Sequence, residues 1–316
     1  MGTVIDRVDI AYPRWRGRHS ALHLAVTAAK DCLQRAGCEP EELDLVVNAG
    51  IYRDRNLGEP ALAALIQDDI GANPEDPHAG AHGTFSFDIA NGACGVLTAL
   101  QIVEGFLRTH SIHRALIVAS DADPGRGMSE HFPFSAVGAA LLCGWTDDGY
   151  GLSPVSWVNA NDEADDAEIF SATVGFADAR NVLRFNQSAT VDERFAATAA
   201  AAVHACLDAQ SVRLSDIELV VAAPARHGYR TALSSRLGVP VDKISVADDQ
   251  CMHTAALAAG LEREAERLPA GAQVLFVAAG AGVTAGAALY RQPPPTIRTP
   301  DSQGVARERK VAKWSN

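Results

Sequence analysis

The sequence lacks paired cysteines, long apolar runs and an excess of positive charge. Its six cysteines are scattered without a C-x-x-C pair, so we expect neither a metal site nor a disulfide framework. No stretch of about 20 residues is free of charged or turn-forming residues, and no basic and apolar leader opens the chain. We therefore predict a cytoplasmic protein that does not enter a membrane. The net charge of −12 would repel nucleic acid, which we exclude as a partner.

The composition that remains is that of an ordinary globular protein. The chain has 316 residues, of which 47% are hydrophobic and 21% charged. This length accommodates one large domain or two fused ones.

The second half of the chain repeats the first. At one constant offset, residues 32–33 match residues 206–207 and residues 43–47 match residues 217–221. Each copy has the apolar spacing of a helix followed by a polar turn and a short buried strand. The repeat indicates two similar units within one chain.

A second pair of segments matches at another constant offset. Residues 115–119 align with residues 274–278, and the same ungapped register places Cys94 on His253. Both residues stand where a turn-rich segment gives way to a helical pattern of Ala, Leu and Val. We therefore predict Cys94 and His253 at the N-termini of equivalent helices, facing each other across a pseudo-two-fold axis.

The alternation of helices with continuous apolar strands predicts an α/β protein with parallel sheets that are covered on both faces. Two copies of that unit predict a five-layer α-β-α-β-α sandwich. We predict an N-terminal half at residues 1–155, a C-terminal half at 156–292 and a mobile tail at 293–316. Segments 95–100 and 254–260 are apolar all round, as helices between two sheets should be.

Cys94 is the candidate nucleophile. At a helix N-terminus the first-turn amides and the helix dipole stabilise a thiolate and lower its pKa, as an acyl-carrying cysteine requires. Gly92 and Gly95 on either side allow backbone to approach a substrate closely. The alternative is a small hydrophobic side chain of the core.

His253 is the candidate base because its register matches that of Cys94. A neutral imidazole could pair with the thiolate and later deprotonate an incoming nucleophile. A helix-capping or core role is the alternative. His227 is a possible alternative base, and it adjoins a group of arginines.

That group of arginines contrasts with the acidic remainder of the chain. It is either a solvated face or a binding surface for a CoA phosphate or an acidic carrier protein. Its members are Arg226, Arg230, Arg236, Arg180 and Arg184.

The glycine-rich segment 279–286 follows a buried strand. Its backbone N–H groups could face an oxyanion, or the glycines could simply allow close packing. No helical pattern with a downstream acid follows, so the segment is not a dinucleotide fingerprint and no such cofactor is expected.

Two of these segments resemble those of a known family. Residues 88–95 resemble the nucleophile segment, and residues 277–289 the C-terminal glycine-rich segment, of the ketoacyl synthase III (3-oxoacyl-ACP synthase III) group of the thiolase superfamily. The resemblance covers residues 20 to 291, approximately. It implies a thiolase-like fold of two pseudo-symmetric halves, a homodimer, and no cofactor besides the phosphopantetheine of an acyl-CoA or acyl-ACP substrate.

The resemblance also implies site roles. Cys94 would take the acyl group, and the backbone amides of Cys94 and Ala281 would form the oxyanion hole. Ala279 and Gly280 would lie beside the substrate.

The chain departs from that family at two catalytic positions. The family's H-Q-A-N segment falls on residues 223–226, so Ala223 replaces its histidine, and the asparagine of its G-N-T segment falls on His253. The region before the first helix is short, with only Trp15 and neighbouring arginines to suggest CoA contacts.

Three functions remain open on these grounds. The first is an acyltransferase of secondary metabolism that passes the acyl group from Cys94 to a small or carrier-bound nucleophile. The second is a decarboxylative carbon–carbon condensing enzyme. The third is a non-catalytic subunit that pairs with an active homologue.

Overall fold

The computed structural model describes residues 2–13, 20–73, 83–160, 170–175 and 182–294. Trp15, Arg180 and nearly all of the predicted tail at 293–316 lie outside these residues.

Six α-helices lie within the described part of the chain. They are α1 (Ala21–Ala36), α2 (Leu62–Ile70), α3 (Gly95–Arg108), α4 (Val191–Gln210), α5 (His227–Leu237) and α6 (Ala256–Ala265). α1 has well-formed ends: the Ser20 hydroxyl accepts a hydrogen bond from the His23 amide, and Gly37 closes the helix in the left-handed region at φ 60°. None of the described helices is long and apolar enough to cross a bilayer.

The described strands form two large sheets and one hairpin. They are β1 (Gly2–Ala11), β2 (Leu45–Asn48), β3 (Phe85–Asp88), β4 (Ala115–Asp121), β5 (Val137–Thr146), β6 (Gly151–Leu152), β7 (Ser156–Asn159), β8 (Phe170–Gly175), β9 (Val182–Gln187), β10 (Leu219–Ala223), β11 (Ile244–Ser245), β12 (Gln273–Gly280) and β13 (Thr284–Arg291). Strands β8 and β9 make the hairpin.

The two large sheets have matching strand orders. The first sheet runs β3-β2-β4-β5-β1, and the second runs β11-β10-β12-β13-β6, with β7 also paired to β13. Helices α1 and α2 pack on the first sheet and α4 on the second, with α5 against α4. Helices α3 and α6 pack against each other in the middle layer, and both contact β1 of the first sheet and β12 of the second. The predicted five-layer α-β-α-β-α sandwich of two pseudo-symmetric halves is confirmed.

The prediction of parallel sheets is wrong for part of each sheet. Strand β2 is parallel to β4, and β10 to β12, but β5 and β13 run antiparallel to their neighbours. In the second sheet the reason is connection length, since only the three residues Ala281–Val283 separate β12 from β13. A parallel pair needs a crossover of a dozen or more residues, so a hairpin results.

The middle-layer helices are buried where the sequence predicts it. All of residues 254–260 are buried, as are residues 95–100 except the half-buried Thr98, whereas later turns of both helices reach solvent. The division of the chain at residue 155 stays a prediction. Strand β6, at residues 151–152, already pairs with β13 of the second sheet.

Candidate active site

A cavity of about 610 Å³ opens between the two halves, next to the start of α3. Both halves contribute to its wall, which is largely apolar. The lining residues are Ile51, Tyr52, Ala90, Asn91, Gly92, Ala93, Pro133, Phe134, Leu183, Gln187, Val191, Phe195, Pro224, Arg226, Gln250, Cys251, Met252, His253, Ala279, Gly280 and Gly282.

Cys94 is not itself among the residues that line this cavity, but its neighbours Ala93 and Gly280 are. It ends the 3₁₀ turn Gly92–Cys94 and is the residue from which α3 starts, as the sequence predicts. Its side chain is fully buried, and its Sγ lies 3.8 Å from the carbonyl oxygen of Thr284. A methyl group built on Gly280 would come within 3.2 Å of Sγ, so Gly280 leaves open the space beside the sulfur.

The prediction that the helix N-terminus lowers the pKa of Cys94 is wrong for the protein without substrate. Burial raises the pKa of this thiol to about 12. The free-energy cost of desolvating a thiolate exceeds its stabilisation by the first-turn amides, because no oppositely charged group lies next to the sulfur. Cys94 is therefore a neutral thiol at rest, and it needs a base when it reacts.

His253 supplies an imidazole in the turn that precedes α6. The ring stacks on Phe134 with centroids 4.2 Å apart and lies 5.4 Å from the ring of Tyr52. Its Nε2 would be 3.3 Å from a methyl group built on Gly92, two residues before Cys94. The nucleophile turn and the imidazole are therefore adjacent.

The other nitrogen of His253 faces Asp121, the last residue of β4. Nδ1 is 3.3 Å from Asp121 Oδ2, although the two atoms are not aligned for a full hydrogen bond. Oδ2 also accepts hydrogen bonds from the Thr254 amide at 2.9 Å and hydroxyl at 2.6 Å, while Oδ1 accepts one from the Tyr52 amide at 3.0 Å. The carboxylate is thus fixed in place beside the imidazole.

Asp121 is fully buried, yet it favours the charged form. Desolvation by burial acts to raise its pKa, but the neighbouring His253 and the hydrogen bonds from Thr254 and the Tyr52 amide together hold the pKa below its usual value.

The predicted oxyanion hole is not tested by the geometry. Ala279 and Gly280 line the cavity, and their role in substrate binding stays a prediction. The Cys94 amide already donates to the Asn91 carbonyl at 2.9 Å, so an oxyanion would have to share or take over that donor. The roles of the Cys94 and Ala281 amides stay predictions.

The arginine cluster is only partly at the cavity. Arg226 lines the cavity and forms a two-pronged ion pair with Asp192. Arg230 is not among the lining residues and donates from Nε to the Val241 carbonyl at 3.1 Å. Arg236 pairs with Glu193 on α4.

The remaining members of that cluster lie elsewhere. Arg184 pairs with Glu130, which neutralises its charge locally. His227 begins α5 with an exposed side chain and is not among the residues that line the cavity. The structure therefore brings His253, and not His227, to the nucleophile turn.

Sequence reasoning missed three residues of this site: Asp121, Tyr52 and Phe134. Asp121 carried one usable signal, since it is an acid at the carboxyl end of a buried central strand. The two aromatic residues carried none, because their contact with His253 joins distant parts of the chain. Within the described ranges, no group of three or more His, Cys, Asp or Glu side chains could hold a metal ion.

Comparison with known proteins finds relatives over most of the chain. Residues 207–292 match the family model described as 3-oxoacyl-[acyl-carrier-protein (ACP)] synthase III C terminal. The chain is 27% identical over 292 residues to the β-ketoacyl-[acyl-carrier-protein] synthase III of Erythrobacter litoralis, an alignment that covers 85% of this chain and 83% of that protein.

Solved structures give the same result for the fold. The 3-oxoacyl-[acyl-carrier-protein] synthase III of Aquifex aeolicus superposes with a TM-score of 0.74 at 20% identity, covering 92% of this chain and all of that one. A priming β-ketosynthase of a polyketide biosynthetic pathway gives a TM-score of 0.76 at 19% identity, over 93% of this chain and 97% of the other.

The architecture matches that of the solved synthase III structures. In sequence the chain is similar to ketoacyl synthases III, as the resemblance of its nucleophile and glycine-rich segments predicts. That Ala223 and His253 occupy the family's histidine and asparagine positions stays a prediction.

Proposed function

We propose that the protein is an acyltransferase that accepts an acyl group from acyl-CoA or an acyl carrier protein onto Cys94 and passes it to a second nucleophile. The observation that carries this proposal is that His253 Nε2 faces Gly92 in the turn that ends at the buried Cys94, next to an apolar cavity lined by Gly92, Ala93, His253 and Gly280. The synthase III relatives, which by name act with an acyl carrier protein, support a thioester as the donor.

The chemistry follows from the neutral state of the thiol. As Sγ attacks the thioester carbonyl, its proton passes to Nε2 of His253, so no free thiolate has to exist in the apolar site. The bond from the carbonyl carbon to the donor sulfur then breaks, and the leaving thiolate takes the proton from the imidazolium. In the second half-reaction Nε2 deprotonates an incoming alcohol, amine or thiol, which attacks acyl-Cys94.

The histidine content of the cavity favours transfer over decarboxylative condensation. Among the described residues that line the cavity, His253 is the one histidine, and the buried Ala223 stands where the sequence alignment places the family's catalytic histidine. Condensation needs two donors to stabilise the enolate that forms when CO₂ leaves. Losing one such donor typically costs a hundredfold or more in rate.

The likeness in fold to a priming β-ketosynthase supports a role in secondary metabolism.

A homodimer is supported by the edge of the first sheet. Among the described strands, β2 is the one neighbour of β3, whose Phe85 is 60% exposed beside the half-buried Phe87. An open strand with exposed aromatic side chains is a surface on which a second copy could pair.

Acylation can be tested by intact-mass measurement. The purified protein is incubated with a panel of acyl-CoAs, and we expect a mass increase of one acyl group that is absent in Cys94→Ala. The variant deletes only a sulfur from the core, so the matched control is that its thermal unfolding stays cooperative.

The panel also separates the alternatives. A folded wild-type protein that gains no adduct from any donor would support the non-catalytic subunit instead. Release of CO₂ from malonyl-CoA at a rate matching acyl transfer would support condensation. His253→Ala should slow loss of the acyl group from Cys94 strongly, and His227→Ala only slightly; the reverse ranking would identify His227 as the base.

A further inference from the structure

We propose that Asp121 is a positioning residue that holds His253 with its proton on Nδ1, so that Nε2 is free to accept the proton of Cys94. The inference rests on the proposed function and adds a third member, turning the pair of Cys94 and His253 into a cysteine–histidine–aspartate triad. No sequence motif marks Asp121, which lies 132 residues from His253 along the chain.

The two nitrogens of His253 lie in different surroundings. Nδ1 is buried, and the polar group near it is Asp121 Oδ2 at 3.3 Å, whereas Nε2 faces Gly92 in the nucleophile turn. A carboxylate accepts protons and donates none. The nitrogen beside it is therefore the protonated one, and the nitrogen toward Cys94 has the free lone pair.

Packing restricts rotation of the His253 ring. Phe134 stacks on it at an interplanar angle of 18°, and Tyr52 lies near the same ring with a tilt of 31°. His253 is only 7% exposed, so a rotation that exchanged its nitrogens would have to displace buried aromatic side chains.

The carboxylate is held independently of the histidine. The Thr254 amide and hydroxyl bind Oδ2, and the amides of Tyr52 and Ile51 bind Oδ1 at 3.0 and 3.3 Å. Four donors fix its orientation, and together with the neighbouring His253 they hold its pKa below the usual value against the desolvation of burial. The position of the Asp121 carboxylate therefore does not depend on His253, so the carboxylate can orient the imidazole.

The electrostatic effect is largest when the proton moves. Transfer from Cys94 to Nε2 makes an imidazolium next to a carboxylate that is already charged, and the aspartate itself takes up no proton. The titratable groups around His253 are Asp121 from β4, Tyr52, whose pKa burial raises far above neutrality, and Cys94, two residues after the Gly92 that lies against Nε2. Asp121 is therefore the one charged group of the three at neutral pH.

The experiment compares wild type, Asp121→Asn, His253→Ala and the double variant in single-turnover acylation of Cys94, followed by intact mass from pH 6 to 10. We expect Asp121→Asn to slow acylation by about 10²- to 10⁴-fold. With its oxygen in the Oδ1 position, asparagine still accepts from the Tyr52 and Ile51 amides. Its NH₂ then replaces Oδ2, where it no longer accepts from Thr254 and presents an N–H to Nδ1, which reverses the tautomer. Acylation then requires Cys94 to lose its proton to solvent, and because burial raises the pKa of this thiol to about 12, the rising limb of the pH profile should move to higher pH.

The double variant distinguishes positioning from a structural role. If Asp121 acts through His253, adding Asp121→Asn to His253→Ala should change the acylation rate less than threefold, whereas a structural role would slow both backgrounds equally. An Asp121→Asn protein that acylates at the wild-type rate and with the wild-type pH profile would overturn the inference while leaving the acyltransferase proposal intact.

A second measurement holds even if Asp121→Asn fails to fold. In wild-type protein labelled with ¹⁵N-histidine, the His253 resonances should report a protonated Nδ1 and an unprotonated Nε2 at neutral pH. The opposite tautomer would refute the positioning role. A protein that shows the expected tautomer but no acylation would instead refute the proposed function.

Discussion

At the scale of single residues, two glycines determine how closely the reacting groups approach. Gly92 has a positive φ of 50°, and a side chain there would meet His253 Nε2. Gly280 has an extended backbone at φ −151°, which any residue can adopt, but its missing side chain leaves room beside the Cys94 sulfur. A substitution at Gly92 would therefore strain the backbone, whereas one at Gly280 would only fill space beside the sulfur.

Gly280→Ala tests steric access. Because the backbone tolerates alanine, we expect the free energy of unfolding to change by about 1 kcal/mol or less. The added methyl at 3.2 Å from Sγ should slow Cys94 acylation by about a hundredfold, since small displacements of reacting atoms cost that much.

The matched control is Gly58→Ala, where nothing lies within 4 Å of the added methyl. Its acylation rate should equal that of wild type. Equal rates in wild type and Gly280→Ala would mean that the substrate does not approach the sulfur from this side.

The residue-level site could be predicted in part. Position in the repeat was sufficient to select Cys94 and His253, because turn residues before a helical pattern mark a helix start. The direction of the Cys94 pKa could not be predicted, because it depends on how much packed chain surrounds the sulfur. The same limit hid Asp121, whose contact with His253 exists only after α6 packs beside the end of β4.

At the scale of secondary-structure elements, the exposed edge of β3 is the feature with the clearest consequence. Its counterpart in the second half, β11, has only two residues, so the two sheets differ at this edge. β3 has four residues, and Phe85 on it is among the most exposed large apolar side chains of the described chain.

Phe85→Glu should therefore convert a dimer into a monomer. A charge on an edge strand opposes pairing with another strand, and the substitution also removes an exposed aromatic side chain. Size-exclusion chromatography with light scattering measures the mass directly. Val241→Glu, at a 45% exposed position next to β11, is the control that should leave the mass unchanged. A dimer that survives Phe85→Glu would place the interface elsewhere.

The strand directions show where pattern reading fails for elements. Continuous apolar runs indicated buried strands correctly, for instance in β4 and β12, which are buried nearly throughout. They could not tell parallel from antiparallel, because a strand covered on both faces is apolar in either direction. The direction of β13 could instead have been predicted from the three residues that join it to β12, because so short a connection permits only an antiparallel pair.

At the scale of the whole molecule, buried thiols make stability depend on pH. Burial raises the pKa of Cys32 and of Cys94 to about 12, and that of Cys143 well above its ordinary value of 9.0. Each thiol stays protonated in the folded chain over a range in which the unfolded chain has lost its proton. The unfolded state then binds fewer protons, so its stability relative to the folded state rises with pH.

The free energy of unfolding should therefore fall as pH rises above 9, by about 1 kcal/mol per buried thiol at pH 10. Urea denaturation at pH 7, 8, 9 and 10 measures it, and Cys94→Ala should show a smaller fall than wild type. Tyr52, Tyr229 and Tyr290 also have raised pKa values but ordinarily titrate near 10.0, so they act mainly above this window. A flat profile would mean that the thiols are accessible to water.

The matching strand orders of the two sheets carry an evolutionary consequence. An exact duplication would have placed the same side chain at both helix starts, giving two thiols or two imidazoles and no pair able to exchange a proton. The reaction we propose becomes available only after the two copies have diverged at that position. The internal likeness of the halves thus explains the scaffold, while the chemistry depends on the point where the likeness ends.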